Sequence, residues 1–551
     1  MENRPLETPI SMDNLTMNIS EDMRKIVLNK CSVDLYNLNA VVNMNEFKNI
    51  VIVYKQVYNK IYSLNFTPSN VKPIILNAIL ENLFELWHRL NYNLEFFLQI
   101  KQVFSAAQII ALFSIYLNEN NMGNILDFFF NNKDRVFSKN KPIKTIALYY
   151  YKVFNGGVEK FLSLIAPIYL NMGYNVVLIT DEIDKKKEYA LPSNKNFKRI
   201  TIKTPYSNFL GRLEELTSYV DEYKIDLFFS QAYYGNFAPH LQILFFKLLG
   251  VPVLMEMHAN FMMIAPFTYK VEKVFRLADG IITLSRTDKM FWQNFDCNTY
   301  YIPNPIHCKN KDGNELKPKI NKKIILWVGR LTAIKQPMEI IPIMTEVVKH
   351  VPDAKLNILG EADPKEFDLD RFKFEIKKNS LENNIKLCGH SLDVNSYYKA
   401  ANLVLMTSAL EGFSFVVAET KINALPLVCY ELPYLEFFSE EKGYLSVPQN
   451  DTHAAAMAIV KILTDDNLRK KMSIESRESI QSFIDYDLSG AWKKVFNDIE
   501  AGIRYEEKNF EIQQVEKMLL QNIVSKNMQI RYMNQMLNSF KGELIKLKSE
   551  K

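Results

Sequence analysis

Residues Ala401 to Glu419 read ANLVLMTSALEGFSFVVAE. The run NLVLMTS is short and almost wholly apolar, which predicts a strand buried on both faces. A strand of that kind belongs to a parallel sheet whose faces are covered by crossover helices. Glu411 and Gly412 then fall at the strand's carboxyl end, Ser414 or Phe415 opens a helix, and Glu419 sits in that helix's early turns. In doubly wound sheets ligands gather at the carboxyl ends of strands. This one stretch therefore predicts an α/β fold and places two acids near a binding cleft.

The same texture extends in both directions. IILWVGR, AKLNILG, IKLCGH, LPLVCY and YLSV are further short apolar runs separated by helix-length segments. Upstream, TIALYY, the turn KVFNGG, the amphipathic VEKFLSLIAPIYLNMG ending at Gly173, and NVVLIT make a βαβ unit. DLFFSQA, VPVLMEMH, GIITLS and YYIPNPI continue a first parallel sheet, and the polar GNELKPKINKK, around 309 to 323, reads as a linker. The expected organisation is a helical accessory module over 1–140, a first Rossmann-like domain over 143–308, a second over 322–484, a crossover helix over 485–505 and an amphipathic tail over 506–551. The two doubly wound domains face a cleft, and chemistry is expected there.

Composition excludes several classes. A chain of 551 residues that is 48% hydrophobic and 12% aromatic buries several cores and is not mainly disordered. Its 67 basic and 62 acidic side chains leave a net charge of +5, which is no nucleic-acid footprint, although contact with an anionic membrane surface stays open. The polar, mixed-charge start predicts no secretory signal, and VFSAAQIIALFSIYL is too short to span a bilayer. The five cysteines show no paired spacing, so a reducing cytosol is expected, with peripheral attachment to the inner membrane face left open. Only Asn155-Gly156-Gly157 follows the first strand, without a G-x-G-x-x-G, so a dinucleotide cofactor is not expected.

The candidate chemistry comes from charges at strand ends. Taken alone, Glu411 and Glu419 read as a helix-entry acid and a solvated helix position, and a basic residue after a strand reads as a solvated loop residue. The conjunction is more informative. ILWVGRLTAIK puts Arg330 directly after the strand-end Gly329 and Lys335 five residues on. Arg330 can grip a diphosphate with a forked contact and Lys335 can act as a point charge, while backbone amides near Gly412 and Phe413 donate to phosphate or sugar oxygens.

With VGRLTAIK, LNILGE, IKLCGH, YYKAANLVLMTSALEGFSFVVAE and LPLVCYELPYLEFFSEEKGYLSVPQ in order, the chain resembles the family 4 retaining glycosyltransferases of GT-B fold over roughly residues 143 to 505. The resemblance implies that Arg330 and Lys335 hold the donor diphosphate, that Glu411 lies beside the donor sugar, and that Glu419 holds the ribose hydroxyls. Gly412 and Phe413 match backbone contacts to the donor. His258, in MEMHANF, matches a histidine near the reacting sugar, and Gly156 and Gly157 match the loop facing donor phosphates and acceptor. Gly389 and His390 lie where the family binds the nucleobase. The implied reaction moves a sugar from a nucleotide-diphosphate sugar to a glycan, lipid-linked or other hydroxyl acceptor with retention, in bacterial surface polysaccharide synthesis, and without a cofactor or an essential metal.

Departures from the family pattern are local. TKINALP carries Lys421 and Asn423 in place of small residues and lacks the usual Gly before the Pro. Ser414 stands where Gly is commonest, and NPI replaces an Asn-Gly turn. Asp368-Leu369-Asp370 and Asp485-Tyr486-Asp487 spell D-x-D but lie in or beside probable helices and read as solvated or capping acids, so no metal site is expected. Apolar residues from Ile512 to Leu547 approach a heptad seam, interrupted by Glu516 and Lys526. The tail is expected to drive self-association or to pack back on its own chain. Two other functions stay open: a catalytically silent sugar-nucleotide-binding scaffold and a GT-B-shaped sugar-nucleotide epimerase.

Overall fold

The structure, a computed structural model, describes residues 51, 52, 55, 56 and 83–503. Within the latter, 85, 117–121, 139–140, 154–155, 184–187, 232–237, 261–274, 294–296, 307–322, 365, 392, 433 and 441 are not described. The proposed heptad tail, most of the interdomain linker and most of residues 1–82 therefore lie outside the described residues.

Two parallel sheets organise the chain. The first contains β1 (Thr145–Tyr149), β2 (Asn175–Thr180), β3 (Phe197–Thr201), β4 (Leu227–Ser230), β5 (Val253–Met257), β6 (Gly280–Thr283) and β7 (Thr299–Tyr301), in spatial order 3-2-1-4-5-6-7. β1 is buried along its whole length. Its side chains alternate, Ile146 and Leu148 entering the core on one face and Ala147 and Tyr149 that on the other, as the twofold period of a strand requires.

On the face of Ile146 lie α4 (Gly157–Asn171) and, from the far end of the chain, α14 (Leu488–Glu500). Trp492 on α14 is buried edge-on against Tyr169 of α4, with ring centroids 5.3 Å apart. Truncating such a tryptophan costs on the order of 3–5 kcal/mol, so α14 is a fixed part of the first domain's core. The other face carries α5 (Phe209–Tyr223), α6 (Pro239–Leu248) and α7 (Arg286–Gln293). The described helices upstream of β1, namely α1 (Leu94–Val103), α2 (Ala106–Tyr116) and α3 (Met122–Asn131), share this core with α5 and α6. Their aromatic residues, among them Phe97, Phe113 and Phe129, pack edge to face. They form an additional layer on the sheet.

The second sheet contains β8 (Ile324–Val328), β9 (Lys355–Leu359), β10 (Ile385–Gly389), β11 (Leu403–Met406), β12 (Leu427–Tyr430) and β13 (Tyr444–Val447), in order 10-9-8-11-12-13. Helices α8 (Ile340–His350), α9 (Leu369–Lys378), α10 (Val394–Ala400), α11 (Phe415–Ile422), α12 (Thr452–Thr464) and α13 (Asp466–Ser479) surround it. Asp368 caps α9 by accepting from the Arg371 amide and Asp487 caps α14 through the Gly490 amide, each worth about 1 kcal/mol. Each D-x-D therefore has one acid engaged as a helix cap.

The family-pattern departures acquire physical reasons here. Lys421, 1% exposed, sends its ammonium to Ser479 Oγ at 2.6 Å and to the Lys442 carbonyl at 3.2 Å, tying α11 to α13. Burial pulls its pKa down to about 8. Ser414 and Ala424 both lie in the left-handed region, at φ 65° and 51°. These are conformations that glycine adopts without a Cβ penalty.

Candidate active site

The carboxyl ends of the two sheets are joined by a close backbone contact. A Cβ built on Gly412 would lie 1.9 Å from the His258 carbonyl oxygen, so only glycine lets the loop after β11 meet the end of β5. Gly156 caps α4 in extended conformation with no side-chain hydrogen bond. At Gly157 an added Cβ would touch Phe415, the first residue of α11, at 3.8 Å. The amino ends of α4 and α11 therefore face each other across the cleft.

On the second domain, Lys335 and Glu411 form an ion pair of 2.6 Å between the loop after β8 and the loop after β11. The pair is set from both sides. Ser408 Oγ donates to the same Glu411 oxygen at 2.7 Å, and the Tyr434 hydroxyl accepts from the Glu411 amide at 2.9 Å. Thr407 Oγ1 donates to the Lys335 carbonyl at 2.7 Å and accepts from the Trp327 indole at 2.9 Å. Trp327 on β8 thus positions both strand ends. A cation and an acid fixed by such partners present charge without reorganisation, which is what stabilisation of a transition state requires.

Arg330 is exposed and makes no ion pair or hydrogen bond with a described residue. Its charge is nevertheless felt across the cleft. Burial raises the pKa of Glu159, in the first turn of α4, and Lys152 and Arg330 oppose that rise. Tyr189 is pushed up to about 12, mainly by burial and then by Glu159 and Glu419, against Arg330. An exposed guanidinium without an ion-pair partner among the described residues is available to an incoming anion.

Glu419 projects from α11 to Lys160 of α4, an ion pair that spans the two domains, and the Lys160 ammonium lies 4.9 Å from the Phe415 ring centre. Phe413 is 6% exposed and packs against Phe415 and Phe437, so only its backbone is left for a ligand. His258 stacks edge-on against Phe161, and burial pulls its pKa down to about 3, which keeps the ring neutral. Beside this cluster a cavity of about 930 Å³ opens at the ends of β9 and β10, lined among others by Leu331, Gly360, Glu361 and Gly389. Gly329 borders it through Gly360, where an added Cβ would lie 1.9 Å from the Gly329 carbonyl. His390 is exposed and is not part of that lining.

The structure thus brings Lys335, Glu411, Gly412 and His258 into one locus, with Glu419, Gly157 and Phe415 beside it. Sequence reasoning overlooked Glu159 and Lys160, although both lie within three residues of Gly157 and fall in the first turn of a helix aimed at the cleft. It also overlooked Gln231, which contacts His258 at 2.5 Å. Among the described residues no group of three or more His, Cys, Asp or Glu could hold a metal ion, and no helix is long and apolar enough to cross a membrane.

Two doubly wound domains that converge on such a cleft define a GT-B fold. Residues 155–310 match the model of Glycosyltransferase Family 4 and residues 309–479 that of Glycosyl transferases group 1. The chain belongs to the family 4, group 1 glycosyltransferases. It is 25% identical over 213 residues to the poly(glycerol-phosphate) alpha-glucosyltransferase of Bacillus subtilis, a match covering 38% of this chain and 31% of that one. It is 25% identical over 361 residues to the amylovoran biosynthesis glycosyltransferase AmsD of Erwinia amylovora, covering 63% and 96%. The fold matches that of a point mutant of Staphylococcus aureus TarM, solved with fondaparinux, alpha-GlcNAc-glycerol and UDP, with a TM-score of 0.53, 15% identity, and coverage of 64% and 100%.

Proposed function

We propose that the protein transfers a hexosyl group from a nucleotide-diphosphate sugar to a hydroxyl of a glycan or lipid-linked acceptor, with retention, in bacterial surface polysaccharide or teichoic acid synthesis. The observation that carries this reading is the fixed Lys335–Glu411 pair in the same strand-end cluster as an unengaged Arg330, with Glu419 of α11 reaching Lys160 on the facing helix α4. Relatives acting in amylovoran synthesis and on poly(glycerol-phosphate) support the acceptor class.

Arg330 and Lys335 take the diphosphate, Glu419 the ribose hydroxyls, and the cavity by Gly389 the nucleobase. The sugar lies between Glu411 and His258. As the bond from the anomeric carbon to the diphosphate oxygen breaks, the two cations stabilise the charge that collects on the leaving group, an effect worth on the order of 3 kcal/mol per contact. The acceptor oxygen forms its bond on the same face, and its proton passes to the departing diphosphate. No carboxylate is needed as a covalent nucleophile, and the sugar nucleotide brings its own leaving group, so neither cofactor nor metal is required. Peripheral membrane contact and self-association through residues 506–551 complete the proposal.

Incubation with UDP-, GDP- and ADP-sugars tests it. Slow donor hydrolysis, accelerated by an acceptor, is the expected result. Interconversion of the sugar would instead establish an epimerase, and binding without turnover a scaffold.

A further inference from the structure

Glu256 lies inside β5, in the middle of the apolar run VLMEM, and is 2% exposed. It follows Leu254 by two residues and so faces the same core, toward α4. A carboxyl group in such a place stays neutral unless paired, because ionisation without water is costly. Burial does raise its pKa well above the ordinary carboxyl value, opposed only by Gln231. A neutral carboxyl must place its O–H proton on an acceptor. Among the described residues its Oε2 has no hydrogen-bond partner, and neither does the buried Tyr169 hydroxyl.

Gln231, just beyond β4, connects this carboxyl to the site. Its side-chain oxygen stands 2.5 Å from His258 Nε2, its Nε2 is buried without a partner, and Glu256 Oε2 lies 3.8 Å from that same His258 nitrogen. The oxygen and nitrogen of a glutamine amide are distinguished by their partners and not by their shape. Turning the amide over, with the carboxyl drawn toward it, gives both orphans a partner. Glu256 then donates its O–H to the Gln231 oxygen, and the Gln231 NH₂ donates to His258 Nε2. A ring nitrogen that accepts carries no proton, so in a neutral imidazole the proton sits on the other one.

We infer that Glu256 and Gln231 form a hydrogen-bond relay that fixes the tautomer of His258, with the ring proton on Nδ1. Both are positioning residues: they act through His258, which meets a ligand beyond Nδ1 as a hydrogen-bond donor. A donor suits an oxygen of the reacting sugar, and the wrong tautomer would present a lone pair there instead. The effect on turnover rests on the transferase reading, whereas the tautomer itself can be read without any substrate.

The test uses the full chain labelled with ¹⁵N-histidine, free of ligand, with the His258 signals assigned by their loss in His258→Asn. The wild type is expected to carry a protonated Nδ1 and an unprotonated Nε2. Glu256→Gln keeps that tautomer, because its amide NH₂ donates to Gln231 as the acid did, and keeps kcat within about twofold. Glu256→Leu removes the donor, moves the ring proton to Nε2 and lowers kcat on the order of tenfold at unchanged KM. A wild-type ring protonated on Nε2, or an unchanged tautomer in Glu256→Leu, overturns the relay. If the Leu variant does not fold, the wild-type spectrum and the Gln variant still decide it. Should the tautomer respond as expected while no sugar nucleotide turns over, the relay stands and the transferase reading falls.

Discussion

Gly412 approaches the His258 carbonyl so closely that a Cβ on it would lie 1.9 Å from that oxygen. The contact joins the two domains, so an alanine there is accommodated by parting them and not by a shift within one core. Gly412→Ala is expected to fold with near-normal thermal stability, to open the cleft and to lose at least about a hundredfold in transfer, since small misplacements of reacting groups carry that penalty. Small-angle scattering checks the opening. Wild-type scattering together with wild-type turnover would contradict it.

Lys160 occupies Glu419 from the opposite domain. If the ribose hydroxyls take that carboxylate, the lysine and the nucleotide compete for it. Both side chains are about a quarter exposed, so the pair contributes at most about 1 kcal/mol. Lys160→Met is therefore expected to tighten nucleotide binding by about two- to fivefold, measured by calorimetry; weaker binding would show that the lysine assists the ligand.

Ser414 and Ala424 hold left-handed backbone at the two ends of α11. Removing the Cβ relieves about 1 kcal/mol at such a position, less the extra entropy that glycine brings to the unfolded chain. Ser414→Gly and Ala424→Gly are each expected to raise the denaturation midpoint without changing the dependence on denaturant. Ser414 also donates to Met406 Sδ at 3.5 Å, a weak contact whose loss reduces the gain slightly.

Glu256 gives the protein a pH signature. Its pKa is raised in the fold, so above about pH 4.5 the folded state binds more protons than the unfolded one, and stability falls as pH rises. While the acid stays protonated, the slope is about 1.4 kcal/mol per pH unit. Glu256→Gln removes it, so the variant's advantage over wild type should grow from pH 5 to pH 8. Urea titrations across that range check the sign. His258 runs the other way: its lowered pKa withdraws stability as pH falls from about 6.5 toward 3.

The doubly wound sheets were legible because buried parallel strands are written as local apolar runs. NLVLMTS, IILWVGR and TIALYY each carry their own evidence, and the strand-end placement of Arg330, Lys335 and Glu411 follows from it. What escaped lies between segments distant in the chain. That Lys160 reaches Glu419, or that Gln231 reaches His258, depends on how two domains or two strands are set side by side, and no periodicity records it. Glu256 was visible as a charge within an apolar run, but its meaning needed the neighbour that faces it. Phe413 was placed at the cleft for its backbone alone, and its ring packs in the core.

The central claim is that Arg330, Lys335 and Glu411 act together on a sugar nucleotide's diphosphate and sugar. The direct measurement is donor turnover by Arg330→Ala, Lys335→Ala and Glu411→Ala, each checked for native circular dichroism and melting. Each is expected to lose about a hundredfold or more in kcat while remaining folded. Wild-type turnover in all three would contradict the account.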